Sequence, residues 1–261
     1  MIQFKKLAIA GAVSAILLGA TTAEASVTYN LNPSTANSNS TGPWSDGTIV
    51  KPAGYIGNMP VTWVADIQND INPNETDTVS KANAIAQGAV STYAVESLSN
   101  RWNPSRSWGN ALDFGLITLH SAGDLLIQIA ADATQSSTFK PGFTLFSGWD
   151  TSATSSKHGS WNVALPAIPV NPRGTTGLTY LGQASSTVAG DTVSYLFSNL
   201  AAGNYSLWIG GNGSDASPVG SQSYIANITA SPSAVPVPGA VWLFGSAIAG
   251  FAGLRRRKLA A

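Results

Sequence analysis

The chain has 261 residues, thirteen Lys/Arg, thirteen Asp/Glu and no cysteine, so disulfides and thiol chemistry are excluded and stability must come from packing. The zero formal charge hides unlike parts: residues 26–234 carry seven basic against twelve acidic side chains, a balance of −5, while both ends are basic. Such a charge-poor, mildly acidic body fits neither nucleic acid nor electrostatic docking on anionic membranes.

Lys5 and Lys6 precede the apolar stretch Leu7–Ala20, and Ala23-Glu24-Ala25 follows with small residues at the −3 and −1 positions. This is the pattern of a secretory signal peptide over residues 1–25, cleaved before Ser26. Residues 26–60 are rich in Asn, Ser, Thr, Pro and Gly and read as a loop-dominated arm. Val61–Ile67 has strand character, Asp66–Asp77 reads as a polar loop, and Lys81–Val95 suits either a short helix or, at its end, a strand.

From residue 110 the pattern sharpens. Leu112, Phe114 and Leu116 alternate on one face, Ser121–Asp124 turns the chain, and Leu125–Ala130 follows. Phe143–Ser147, Trp161–Leu165, Leu178–Leu181, Val193–Phe197, Tyr205–Ile209 and Tyr224–Ile228 are further strand-length runs bounded by turn residues. Many short strands without a long amphipathic helix predict an all-β sandwich over residues 61–232. Leu112–Ile129 resembles the opening hairpin of the bacterial pre-peptidase C-terminal type of jelly roll, and 195–209 with Tyr224–Ile228 is similar to its closing strands. That resemblance implies a jelly-roll-like accessory module that binds or spaces rather than catalyses.

No serine-hydrolase elbow, metalloprotease helix motif or phosphate-binding loop is present, and the two histidines, His120 and His158, stand isolated in the sequence. No catalytic residue and no resident cofactor is therefore assigned. A carboxylate pair of a polysaccharide hydrolase can be assembled from distant positions, so an exported hydrolase stays an alternative. Asp70, Asn72 and Asn74 place oxygen ligands at alternate positions, as calcium loops do, although Glu75 and Lys81 depart from an EF-hand. An Asx-turn loop accounts for the same residues; a calcium-stabilised adhesin is the reading they would support. Arg101, Trp102, Arg106 and Trp108 lie in a proline-broken loop and form a candidate surface for stacking sugars or a partner. Burial of both indoles at the end of the sandwich is the competing reading.

The last segment, 233–261, is a module of its own. Val235-Pro236-Val237-Pro238 is followed by the uncharged run Gly239–Leu254 and then Arg255-Arg256-Arg257-Lys258. Sixteen helical residues rise about 24 Å, a little short of a hydrocarbon core of roughly 30 Å, a gap that thinning and snorkelling arginines absorb. The basic cluster stays cytoplasmic, and the prolines stop the helix at its outer end. Proline motif, apolar helix and arginine stop in that order resemble the PEP-CTERM sorting signal of Gram-negative bacteria, with Val237 where that family usually has glutamate. The resemblance implies export by the Sec machinery, transient insertion in the inner membrane, recognition by an exosortase, and delivery to the cell surface or extracellular matrix. It further implies association with exopolysaccharide or biofilm. The whole is expected to be a non-catalytic exported sandwich between a signal peptide and a single transmembrane sorting helix.

Overall fold

Apolar and β-branched residues at every second position build the strands β1 (Ser26–Tyr29), β2 (Val61–Ile67), β3 (Thr76–Ser80), β4 (Glu96–Leu98), β5 (Asp113–Leu119), β6 (Gly123–Ala131), β7 (Pro141–Ser147), β8 (Thr179–Ser185), β9 (Thr192–Leu200), β10 (Gly203–Gly211) and β11 (Ser221–Ser231), with a short helix α1 (Lys81–Ala86). The computed structural model describes residues 26–33, 42–48, 52–57, 59–90, 94–98, 102, 112–136, 138–152, 176–213 and 220–233. The signal peptide, the expected strand Trp161–Leu165 and the sorting segment from Val235 onward lie outside them. Among the described residues no helix is long and apolar enough to cross a membrane.

Two sheets face each other. One runs β1-β2-β5-β10-β7-β8, the other β3-β11-β6-β9, with β4 paired to β11. Every pairing is antiparallel except β2 with β5. The expected all-β sandwich is therefore present. α1 is the single helix among the described residues, capped by Ser80, whose side chain accepts the Asn83 N–H at 3.1 Å.

Apolar packing falls into two clusters. The larger joins both sheets and includes Trp63, Ile67, Ile117, Leu125, Ile129, Phe143, Leu207 and Ile228. The smaller lies on the other face of the six-stranded sheet, where Phe114, Leu116, Phe146 and Trp208 are covered by Trp44, Tyr55, Met59 and Trp102 from the loops. Both faces of β5 are consequently buried. Leu112, Phe114 and Leu116 do share a face, but it is the outer one under the loops; Ile117 and Leu119 point into the inter-sheet core.

Three expectations change. The described parts of 26–60 do not stand outside the sandwich as an arm: β1 zips onto β2, Asn30 bridges Trp44, and Tyr29, Trp44, Tyr55 and Met59 are buried. The region read as a polar loop ends in β3, whose inward positions include Asp77. Finally, β5 and β6 do not form a hairpin. They join different sheets, and the corner between them is held by Asn69, which accepts the Ser121 N–H at 2.8 Å and donates to its carbonyl at 2.9 Å. β9 and β10 likewise change sheets. A turn sequence dictates that the chain reverses; whether the two strands then pair depends on which apolar face each must bury.

Candidate functional site

Asp70, Asn72 and Asn74 occupy the turn after β2, where the N–H groups of Ile71 and Asn72 bond the Gln68 carbonyl and that of Glu75 bonds the Asn72 carbonyl. Asp70 and Asn74 are exposed and Asn72 is half-buried. Trp102 cannot present its ring to a ligand. It is 1% exposed, its N–H donates to Thr144 Oγ1 at 3.0 Å, and its backbone N–H bonds the Gly211 carbonyl. Burying so large an aromatic surface outweighs anything gained by leaving it in water. Arg101, Arg106, Trp108 and His158 lie outside the described residues. His120 meets Asp66, Nε2 to Oδ1 at 2.7 Å, with both side chains over a third exposed, which makes an ordinary surface pair.

One deeply buried polar group is Asp113 at the start of β5, 1% exposed. It receives the Tyr224 hydroxyl at 2.5 Å and the Thr62 hydroxyl, while Trp63 donates to the Tyr224 oxygen at 2.8 Å. Burial pushes the Asp113 carboxyl up to about 6, with the Thr62 and Tyr224 bonds offsetting part of the shift. The same burial and the adjacent carboxylate hold the Tyr224 hydroxyl far above its ordinary range. This chain of bonds, buried apart from the half-buried Thr62, ties β2, β5 and β11 together, a structural task.

At the opposite side of the sandwich the edge strands β8 and β9 approach one another. A methyl group on Gly182 of β8 would touch Phe197 and Tyr195 of β9 at 2.9 and 3.4 Å. Around this junction Tyr180 and Tyr195 are each 42% exposed and Leu196 is 52% exposed. Tyr195 leans on Phe197 with ring centroids 4.5 Å apart, and Tyr180 meets Phe146 edge-on at 6.2 Å. The two tyrosines are close enough that Tyr195 adds to the upward shift that burial imposes on the Tyr180 hydroxyl. Neither strand carries a charged residue; Ser, Thr, Gln and Asn fill the remaining polar positions. Braced aromatic rings in an uncharged, hydroxyl- and amide-rich setting offer stacking with hydrogen bonding beside it. Nothing about Tyr180 or Tyr195 stands out in the sequence, because strand tyrosines there read as core.

No family model and no curated protein matches this sequence. Among solved structures it is similar to CorA, a surface-associated copper-binding protein important in copper acquisition by Methylomicrobium album BG8. The identity is 11% and the TM-score 0.35, over 64% of this chain and 97% of that one. It is also similar to MopE, a secreted protein of Methylococcus capsulatus in which an oxidised tryptophan facilitates copper binding. There the identity is 11% and the TM-score 0.33, over 78% of this chain and 93% of that one. At such scores neither likeness says what this chain binds.

Proposed function

We propose that this is an exported, non-catalytic binding protein whose sandwich engages extracellular polysaccharide through the tyrosine-bearing edge of β8 and β9. The observation that carries the reading is the pair of half-exposed rings, Tyr180 and Tyr195, braced at the junction of two charge-free edge strands. Sugar rings present C–H faces to aromatic planes and hydroxyls to the polar side chains beside them, so a neutral polymer suits this surface better than a charged one. Export rests on the two chain ends: the Sec signal over residues 1–25 and the PEP-CTERM-like tail 233–261 with its Val235–Pro238 motif, helix 239–254 and basic stop 255–258. Consistent with that, β11 ends at Ser231, just ahead of the proline motif. A double sheet whose strands often cross between layers suits a jelly-roll-like sandwich, and within this proposal that sandwich is of the pre-peptidase type. In this proposal exosortase removes the tail after transient insertion in the inner membrane, and the body reaches the cell surface or matrix.

The binding test is sedimentation of the purified full chain with extracellular polysaccharide from the producing bacterium. Replacing Tyr180 and Tyr195 together by alanine should weaken retention at least tenfold, as stacked rings contribute about 1 kcal/mol or more each. Equal retention by the double variant rejects the surface. Deleting residues 235–261 should move the protein from the membrane fraction to periplasm or medium, and unchanged fractionation rejects the sorting role.

A further inference from the structure

Five carboxylates among the described residues are buried: Glu75, Asp77, Asp113, Asp132 and Asp150. Three have donors. Asp113 is bonded by Thr62 and Tyr224, Asp132 by the N–H and hydroxyl of Thr134 at 3.0 and 2.6 Å, and Asp150 by Ser152 and the Thr176 N–H at 2.8–3.1 Å. Glu75 and Asp77 are the exceptions. Each is 2% exposed, and both Glu75 oxygens and Oδ2 of Asp77 are buried without any hydrogen bond. The Gln68 N–H lies near enough to favour the Glu75 carboxylate slightly, yet not in bonding geometry.

Burial alternates from Glu75 through Val79, so strand periodicity turns Glu75, Asp77 and Val79 to the same inner side. Asp77 lines a polar recess of about 250 Å³ with Tyr29, Thr76, Thr78, Asn83 and Gln87. The surroundings supply the wrong charge for an unpaired acid. After burial itself, the influences on Asp77 are Glu75 and then Asp66, both negative. Of the charges acting on Glu75 only His120 is basic, and it is engaged with Asp66. Lys81, a few residues on, is paired with Glu96. Leaving two adjacent buried carboxylates unpaired costs several kcal/mol.

We propose that Glu75 and Asp77 form a binding site for a hard divalent cation of the calcium class, held where the start of β3 meets the end of β2. Two carboxylates balance the two charges of the ion. No third His, Cys, Asp or Glu joins them among the described residues, so neutral oxygens and water complete the shell. The Tyr29 hydroxyl and the Asn83 and Gln87 side-chain amides around the recess carry such oxygens. A donor set of oxygens alone selects calcium or magnesium over zinc or copper, and a mixed, flexible set favours calcium over the strict octahedron of magnesium. The site differs from the exposed Asp70–Asn74 turn before it, and it depends on neither the sorting signal nor the tyrosine edge.

The test uses the full chain purified in detergent and stripped with EDTA, then titrated with calcium chloride by calorimetry and by thermal melting. Saturable binding of one ion per chain is expected, with an upward melting shift of about 5 °C at saturating ion and a smaller shift with magnesium chloride. Glu75→Gln and Asp77→Asn should each lose at least tenfold in calcium affinity while melting no lower than the wild type in EDTA, because each removes a repelling charge. Asp70→Asn should bind within twofold of wild type. Absence of calcium binding by the wild type overturns the site, and this result needs no variant to fold. Binding that survives Glu75→Gln and Asp77→Asn, or that is lost in Asp70→Asn alone, overturns it in favour of the neighbouring turn or of scattered surface acids.

Discussion

On one face of the six-stranded sheet Trp63 lies over Gly115; on the other Trp102 lies over Gly142. A methyl group on Gly115 would come within 2.0 Å of the Trp63 ring, and one on Gly142 within 2.5 Å of the Trp102 ring. The packing device is the same, but the indoles are tethered differently. Trp63 donates to Tyr224 on the opposite sheet, so its ring links the two layers. Trp102 donates to Thr144 within the same sheet and reaches it from a loop. The inner face is thus closed by a second sheet of cross-paired strands, the outer one by short segments such as 42–48 and 52–57. Disturbing the first should unfold the molecule as a unit, and disturbing the second should open it locally.

The largest effect is expected from Gly115→Ala. Its new methyl meets a fully buried ring that has the opposite sheet behind it, so the loss should reach about 3 kcal/mol or more. Urea unfolding should show a lower midpoint with an unchanged slope. A loss under ~1 kcal/mol would mean that the inner face yields as readily as a loop.

The pH dependence of the inner face comes next. Asp113 is held near 6 by burial, above the usual aspartate range, with Thr62 and Tyr224 as donors and the charge of Glu96 raising it further. Because the folded state holds this proton more tightly than the unfolded chain, the group costs nothing below about pH 4 and costs progressively more as pH rises to about 6. Roughly 3 kcal/mol of stability should disappear across that window and stay lost above it. Asp113→Asn should flatten that part of the profile. An equally steep profile in the variant would assign the dependence to another group.

Gly142→Ala probes the outer face by the same chemistry and should be milder, about 1–2 kcal/mol, since the loop that carries Trp102 can shift. Its signature is faster hydrogen exchange at the Trp102 and Trp44 amides, which bond Gly211 and Thr48, with little change in β5 and β10. Equal destabilisation by both glycine variants would erase the distinction between the faces.

The sequence makes β2, β5, β6, β7, β8, β9, β10 and β11 legible because they carry apolar runs bounded by turn residues. β3 escapes because Asp77 takes an inward position where an apolar residue would have completed the alternation. β1 escapes because its run of four residues is embedded in Ser, Asn and Thr. Beside Arg101, Asn103 and Arg106, Trp102 reads either as a stacking surface or as a plug at the end of the sandwich; what decides for burial is a hole over Gly142 that forms only when β7 is in place. The tyrosine edge and the Glu75–Asp77 pair have the same origin. Each needs the relative position of two strands distant in sequence, which periodicity within one strand does not encode.

The smallest effect should come from the uncovered end of the outer face. Asp66 alternates with the inward Ala65 and Ile67, so it projects on the side that the loops cover elsewhere. Here His120 and, more weakly, the Gln68 amide at 3.4 Å meet it, and the His120–Asp66 pair remains over a third exposed. Solvent screening and the entropy of holding two mobile side chains leave such a pair about 0.5 kcal/mol or less. His120→Gln should therefore shift the urea midpoint barely beyond error, and added salt should shrink even that difference. A loss above ~1.5 kcal/mol would show that the outer face is stabilised by polar contacts as well as by its aromatic cover. The contrast with the inner face would then be one of degree.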